Sequence, residues 1–355
     1  MSPYPNLLRP GLLITFKSKN SYILGLSPKL FFYKRSLVMK RLIPLFLVLV
    51  AASIAGAQVR PPTPRPSQKA TILQTLGTTD VSFTYSRPAV KGRTIWADAP
   101  AEMASRAKGE ATLDDQNQRK AGEPIVPWDH VWRAGANEAT LFVTTDDILV
   151  NGQLLPAGRY SFHTIPSKDG NWTIIFNKDD GQWGSFSYDA AKDQLRVKAK
   201  AVMVPNNAEL LTYFFDNITD DKATVFLRWE KMQVTFDVQV KDVVAATLGH
   251  LKAYVAAGKP DDPGPAFNAA NYAKSVKHND EANAWYDQAL KLTEAQIAAK
   301  DTMQNEARKA TILANMGRQQ DAIATLDKAI TVGKAAGADT SALEKRSADW
   351  KAGKF

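Results

Sequence analysis

The densest group of residues that could do chemistry lies between residues 131 and 140. There Trp132 and Arg133 are followed by Asn137 and Glu138, just ahead of a strongly apolar segment. A tryptophan offers a flat face to a sugar, an arginine offers a fork to a carboxylate, and an amide and a carboxylate can fix orientation. The other interpretation is structural, because an internal Arg133–Glu138 ion pair could close a corner of a sheet. The residue types alone favour the structural interpretation.

Histidines are the next candidates, since an imidazole titrates near neutral pH and can transfer protons. The four histidines are far apart, and no two have the spacing of ligands on one helical turn or strand face, so no metal site is predicted. Around His163, Tyr160 and Phe162 alternate with Ser161 and His163. If Tyr160 and Phe162 face the core, His163 points outward or into a cleft. The alternative is an ordinary strand histidine.

The common catalytic signatures are missing. The sequence has no H-E-x-x-H zinc motif, no phosphate-binding loop, no G-x-S-x-G elbow and no dinucleotide fingerprint. No cofactor is therefore predicted, and a binding or scaffold protein is favoured over an enzyme. The alternative is a hydrolase of a glycan or envelope component, in which Glu138, His163 and Glu230 supply general acid and base and Arg133 holds an anion.

The elements that must position these residues show a period of two from about Val81 to Val240. In the segment from Met232 to Val240 every second residue is apolar, as expected for a strand with one buried face. Asn151-Gly152 separates two short apolar segments and favours a type I′ hairpin turn. Many short strands without intervening helices predict an antiparallel β-sandwich, or a barrel-like sheet, over residues 71–241.

Two further segments differ from this pattern. Residues 97–123 are polar and form a predicted solvated insertion between strands. From Asp242 the period becomes helical, and residues 242–355 are predicted to form an all-α domain. Within it, six residues match six others at a constant offset of 40 residues: Ala282, Ala284, Tyr286, Asp287, Ala289 and Leu290 match Ala322, Ala324, Leu326, Asp327, Ala329 and Ile330. This spacing of small residues is similar to tetratricopeptide repeats and predicts a protein partner for the tail.

The net charge of +9 is concentrated at the start of the chain. Of the 45 Lys and Arg residues, eight lie in residues 1–57, which contain no acidic residue, so 37 basic residues face 36 acidic ones in residues 58–355. Residues 1–57 have the pattern of a leader, with translation starting at Met39 and cleavage after Ala57. The protein is then expected to be periplasmic or secreted, with no stable membrane anchor, and nucleic acid is excluded as a partner. Residues 58–70 read as a proline-rich tether.

Several strings of residues extend the pattern around Trp132. They are Ser86-Arg87-Pro88, Lys91-Gly92-Arg93-Thr94-Ile95-Trp96, Val126-Pro127-Trp128, the string from Val131 to Thr140, Leu155-Pro156-Ala157-Gly158-Arg159-Tyr160-Ser161-Phe162 and Trp172-Thr173-Ile174-Ile175-Phe176-Asn177, followed by Tyr188 and Arg196. Together they resemble domain of unknown function 2911, a family of exported bacterial proteins, from about Leu76 to Val240.

The resemblance implies no activity, but it groups the candidate ligand-binding residues. It places five in one constellation and adds three from later strands; in chain order they are Arg93, Trp132, Arg133, Asn137, Glu138, His163, Asn177 and Arg196. Members of the family have a short link where this chain has residues 97–123. If the family has a site between the flanking segments, the insertion covers or extends it.

Overall fold

A run of β-strands is followed by a run of α-helices in the computed structural model, which describes residues 63–106, 112–113 and 119–355. The strands are β1 (Gln68–Leu76), β2 (Thr79–Arg87), β3 (Trp96–Ala97), β4 (Val126–Pro127), β5 (Thr140–Thr144), β6 (Ile148–Val150), β7 (Gln153–Leu155), β8 (Gly158–Ile165), β9 (Asn171–Asn177), β10 (Asp193–Asp216) and β11 (Lys222–Val240). The helices are α1 (Ala101–Ala104), α2 (Val243–Ala257), α3 (Gly264–Ser275), α4 (Asn279–Ala299), α5 (Met303–Asn315), α6 (Gln319–Ala335) and α7 (Ser341–Lys351). The predicted leader, with its start at Met39 and its cleavage site after Ala57, lies outside the described residues.

Nine of the described strands form one antiparallel sheet in the order β1-β2-β5-β8-β9-β10-β11-β6-β7. The prediction of an antiparallel sheet followed by helices is confirmed. The barrel-like alternative is wrong, because β1 and β7 stand at opposite ends of the strand order and the sheet stays open. Strand β1 begins inside the segment predicted to be a tether, so the sheet starts earlier than the alternating pattern indicated.

The sheet curls around a single core because its two longest strands, β10 and β11, reach back across it. Beyond the end of β2, the Val90 amide donates to the Glu209 carbonyl at 2.8 Å, and the Leu211 amide donates to the Pro88 carbonyl at 3.0 Å. The register of β10 against β11 also shifts between Met203 and Thr212, as at a β-bulge, which bends a strand. The inner face is therefore packed with large aromatic residues, including Phe83, Phe142, Phe162, Trp172, Phe176, Tyr213 and Trp229.

The turn between β6 and β7 has the predicted conformation. Asn151 and Gly152 have φ angles of 45° and 82°, and Val150 pairs with Gln153 across them. Positive φ at both central residues defines the type I′ turn, which matches the twist of the flanking strands. The predicted hairpin is confirmed.

The segment predicted to be a solvated insertion is only partly solvated. Of its described residues, Met103 in α1 is fully buried, and Thr112 and Leu113 are also buried. Residues 107–111 and 114–118 lie outside the described part of the chain. The prediction was wrong for the buried positions because a few apolar residues within a polar segment are enough to attach it to the domain.

Helix α2 joins the helices to the sheet. Asp242 caps it, since its carboxylate accepts a hydrogen bond from the Ala245 amide at 2.9 Å. Gly77 lets α2 approach the turn between β1 and β2, because a Cβ at Gly77 would lie 2.5 Å from Val243 Cγ1. His250 Nε2 in α2 lies 2.9 Å from Asp146 Oδ1, in the turn between β5 and β6. Helix α2 is thus packed against the turns at one end of the sheet.

The remaining helices contain a structural repeat. Helices α3 and α4 form one antiparallel hairpin and α5 and α6 form another, with the second hairpin's turn 40 residues after the first. Both turns close in the same way: the His278 amide donates to Ala273 at 2.8 Å, and the Arg318 amide donates to Leu313 at 2.9 Å. Ala282, Ala289, Ala322 and Ala329 of the predicted repeat are buried, whereas Ala284 and Ala324, which were predicted with them, are exposed. The repeat is present in the structure, while its assignment as tetratricopeptide stays a prediction.

None of the helices in the described residues has the length and apolar composition needed to cross a membrane.

Candidate functional site

The Trp132–Glu138 corner, defined as residues 132–138, connects the aromatic core to the start of β5. Trp132 is buried and its ring stacks on Trp229, with the ring centroids 5.8 Å apart. It cannot serve as an exposed platform for a sugar in this conformation. Ala134 has a φ of 51° and Asn137 a φ of 62°, so the backbone turns sharply twice within the corner. The Ala134 carbonyl accepts hydrogen bonds from the hydroxyls of Thr140 and Tyr213, at 2.9 and 2.8 Å.

Arg133 and Asn137 hold the corner together instead of facing an open cleft. Arg133 Nη1 donates to the Asn137 carbonyl at 2.7 Å, and the guanidinium lies 5.2 Å from the ring centroid of Phe186. The Asn137 side chain donates to the Ser67 carbonyl at 3.2 Å. Gly184 packs closely here, because a Cβ at this residue would lie 3.0 Å from Arg133 Cζ. Arg133 and Asn137 therefore hold the backbone of the corner in place, although Arg133 does so without the predicted ion pair to Glu138.

Glu138 has a different environment from its neighbours. Its side chain is 35% exposed, and both carboxylate oxygens accept hydrogen bonds from Arg65 Nη1, at 2.7 and 2.8 Å. Partial burial raises the pKa of Glu138, but the hydrogen bond from Arg65 and the nearby charge of Lys69 outweigh it, so the pKa lies below its usual value. The expected partner, Arg133, is replaced by an arginine that precedes β1. Glu138 is therefore ionised at neutral pH and accessible.

His163 lies on the outer face of the sheet, as the alternating pattern predicted, since Tyr160 and Phe162 belong to the inner core. It is nevertheless fully buried, because residues 178–192 cover that face. His163 Nε2 lies 2.9 Å from Ser161 Oγ, and Gln182 Nε2 donates to the same oxygen at 3.2 Å. The expectation of an outward or cleft position is corrected by this covering segment.

Asn177 and Arg196 are linked to His163 through Tyr188 and Asp193, in a group here called the buried network, in which His163 and Asn177 are fully buried and Arg196 is exposed. The His163 ring contacts the Tyr188 ring, with centroids 5.2 Å apart. The Tyr188 hydroxyl donates to Asp193 at 2.7 Å and accepts from Arg196 Nη2 at 2.7 Å. Asn177 Nδ2 donates to Asp193 Oδ1, also at 2.7 Å. Burial, together with the hydrogen bond to Asp193, raises the pKa of Tyr188 above its usual value, so the phenol stays neutral.

The last two candidates lie elsewhere. Arg93 is in the turn after β2, where Nε and Nη2 donate to the carbonyls of Val90 and Ala89 at 3.1 and 2.5 Å. Glu230 lies at a register shift in β11, opposite Ala208, with a φ of 53°. The eight predicted ligand-binding residues therefore fall into four places: the core, the corner, the buried network and an isolated turn.

Sequence reasoning missed several partners in these groups. Ser161 could have been found, because residues i and i+2 of a strand share a face and His163 was already a candidate. Arg65, Asp193 and Gln182 gave no such signal, since their contacts with Glu138, Asn177 and Ser161 depend on how distant segments fold back. Three or more His, Asp or Glu side chains placed to hold a metal ion do not occur in the described residues.

Part of the sheet matches a known protein family. Residues 114–238 match the family model described as Protein of unknown function (DUF2911). We refer to the matched residues 114–238 as the DUF2911 region. The resemblance seen in the sequence is thus confirmed, over a narrower range than 76–240. Neither curated proteins nor solved structures gave a match to this chain.

The DUF2911 region contains the whole Trp132–Glu138 corner and the whole buried network. Arg65 and Arg93 lie before the matched residues, and the helical hairpins lie after them. The Arg65–Glu138 ion pair therefore joins the DUF2911 region to a segment outside the match.

Proposed function

We propose that this protein is an exported protein of the cell envelope that binds a ligand on its sheet and a protein partner on its helical hairpins. The observation that carries the proposal is the structural repeat of hairpins α3–α4 and α5–α6. Tandem helical hairpins stack into an extended surface that binds peptides and proteins. The DUF2911 region would then supply the ligand site, at Glu138.

Contacts between the hairpins support a continuous surface. Asn315 Nδ2 in α5 donates to Asn271 Oδ1 in α3 at 2.9 Å, and the Lys274 ammonium contacts the Asn315 carbonyl. The C-terminal ends of the first helices of the two hairpins are thus in contact. A partner that lies along them would contact both repeats at once.

The export part of the proposal rests on the sequence pattern of residues 1–57 and on the near-neutral charge of residues 58–355. Mass spectrometry of the protein recovered from an envelope fraction tests it. The expected amino terminus is Gln58. A chain that keeps its leader and remains in the cytoplasm would contradict export.

The hydrolase alternative gains no support from the geometry. Glu138 is paired with Arg65 at the surface, His163 is enclosed beside Ser161, and Glu230 lies in β11 opposite Ala208. General acid–base catalysis requires ionisable groups that reach the same substrate. These three side chains have separate surroundings and separate partners.

Site-specific photo-crosslinking in intact cells tests the partner surface. The cross-linker replaces Asn268 in α3 or Gln304 in α5, both exposed, and the matched control carries it at the exposed Thr71 in β1. We expect the same protein adduct from both helical positions and none from the control. No adduct from the helices, or the same adduct from all three positions, would refute the proposed surface.

A further inference from the structure

A small pocket beside Glu138 has the features of a ligand site. Its volume is about 140 Å³, and it lies where β1, β2 and the start of β5 meet the segment that covers the outer face of the sheet. The residues that line it, here called the corner pocket, are Lys69, Thr84, Tyr85, Ser86, Glu138, Ala139, Leu141, Asp180 and Gly181. Since a water molecule occupies about 30 Å³, the pocket accepts a group of only a few heavy atoms.

The pocket wall contains a buried polar atom that lacks a partner. Ser86 is 2% exposed, and among the described residues its hydroxyl oxygen has no hydrogen-bond partner. Buried hydroxyls are nearly always hydrogen-bonded, because an unmade hydrogen bond destabilises the fold. A ligand that donates a hydrogen bond would satisfy Ser86 Oγ.

The charges around the pocket select a cation. Glu138 and Asp180 contribute two carboxylates and Lys69 contributes one ammonium. Both carboxylates are paired with an arginine, Asp180 with Arg159 and Glu138 with Arg65, each at 2.7 Å. A cation that takes the place of one of these arginines keeps the charges balanced, whereas an anionic ligand, which the sequence analysis considered for Arg133, would leave a carboxylate unpaired.

A guanidinium group is already at the mouth of the pocket. Arg65 uses a single nitrogen, Nη1, for both of its hydrogen bonds to Glu138. The side chains of Arg65 and Glu138 are 47% and 35% exposed, and exposed ion pairs of this kind contribute little to stability. The remaining donors of a guanidinium, which has five N–H groups, are left for other acceptors.

The segment that carries Arg65 lies outside the sheet. Pro64 and Pro66 flank the arginine, and β1 begins only at Gln68. A proline has no N–H to donate to a strand. Besides the Arg65 ion pair, the Asn137–Ser67 hydrogen bond, at 3.2 Å, attaches this segment to the corner. Displacing Arg65 therefore breaks few interactions.

We propose that the corner pocket binds the guanidinium group of a ligand, and that Arg65 is an internal competitor for Glu138. The incoming guanidinium pairs with the Glu138 carboxylate and donates a further hydrogen bond to Ser86 Oγ. The inference rests on the proposed function in that it assigns a chemical class to the ligand of the sheet. Either a free guanidine or an arginine side chain in an extended peptide presents this chemistry.

Isothermal titration of the purified full-length protein tests the proposal, with L-argininamide as the free probe and a Pro-Arg-Pro peptide as the peptide probe. L-citrulline and Pro-citrulline-Pro are the matched neutral controls. Removing the competitor by Arg65→Ala is expected to raise the affinity for at least one cationic probe by roughly two- to fivefold, because an exposed ion pair is weak. Glu138→Gln should abolish binding, and Ser86→Ala should weaken it without changing the unfolding transition.

Arg318→Ala, which breaks an exposed ion pair with Asp321 far from the pocket residues in sequence, is the control that should leave binding unchanged. Stronger binding of the peptide than of L-argininamide identifies a peptide source, and the reverse identifies a small molecule. The proposal fails if neither cation binds the Arg65→Ala protein, or if citrulline binds equally well. It also fails if Ser86→Ala and Glu138→Gln both bind as the unchanged protein does. Such a failure leaves the cross-linking at α3 and α5 unaffected, so the two proposals can be separated.

Discussion

The sheet and the helical hairpins build their cores from opposite kinds of side chain. The inner face of the sheet is filled by aromatic residues, among them Phe83, Trp172, Tyr213 and Trp229, each at most 1% exposed. The core of the hairpins relies on alanines, among them Ala270, Ala273, Ala289, Ala310 and Ala322, each fully buried. Facing β layers lie about 10 Å apart and need long side chains to fill the gap, whereas helices in close contact need short ones. The two regions should therefore fail under opposite substitutions.

The largest effect is expected when a large residue is removed from the sheet. Trp229→Ala deletes a fully buried ring that stacks on Trp132, and should lower the free energy of unfolding by about 3–5 kcal/mol. Urea denaturation followed by circular dichroism measures it. Trp183→Ala is the matched control, since Trp183 is 51% exposed and should change stability by no more than about 0.5 kcal/mol. Equal losses for the two variants would show that the aromatic core does not carry the stability of the sheet.

An intermediate effect is expected when a core alanine of the hairpins is enlarged. Ala289→Leu in α4 places a longer side chain where no space is left, and should cost about 1–3 kcal/mol. Ala284→Leu in the same helix is the control, because Ala284 is exposed and leucine is a good helix former. Thermal unfolding of both variants checks the difference. A stabilised Ala289→Leu protein would mean that the helices pack loosely.

The smallest effect is expected at the Arg65–Glu138 ion pair, which belongs to neither core. Glu138→Gln should lower stability at pH 7 by about 1 kcal/mol or less, since both side chains are partly exposed to solvent and the ion pair is screened. The folded state holds the pKa of Glu138 below its unfolded value of about 4.3. This stabilisation is present above that pH and disappears as the pH falls through the folded pKa.

A double-mutant cycle with Arg65→Ala isolates the ion pair. If Arg65 and Glu138 contribute to stability only through their ion pair, the free energy of unfolding of the double variant should be no lower than that of either single variant. Denaturation at pH 7 and again at pH 3 measures the interaction, which should be weaker at the lower pH because protonation of Glu138 removes its charge. An interaction that does not weaken between pH 7 and pH 3 would refute the assignment of the effect to the carboxylate.

Local patterns were enough to predict the elements but not their arrangement. The alternation from Met232 to Val240 predicted a strand because its period is fixed by backbone geometry. Asn151-Gly152 predicted its turn because these two residues tolerate positive φ. The sequence pattern did not predict the start of β1. Only three of its first eight residues are partly buried, so the alternation there is weak.

In the candidate site, too, local patterns predicted properties of single residues but not the contacts that these residues make. His163 was correctly placed opposite Tyr160 and Phe162, but its burial depends on residues 178–192, which cover it from elsewhere in the chain. Glu138 was selected from its residue type, but its partner Arg65 is 73 residues away. Contacts at such separations depend on strand order, which alternation does not specify.

By itself the sequence determined where strands end and helices begin, the 40-residue repeat of the hairpins and the match of residues 114–238 to the DUF2911 model. These are local properties, fixed by side-chain period, turn chemistry and residue strings. Only the tertiary structure decided that Trp132 belongs to the core, that Arg133 supports a corner and that Glu138 faces a pocket. The reason is physical: which of several neighbouring polar residues stays accessible depends on the segments that pack against them, and those segments are distant in sequence.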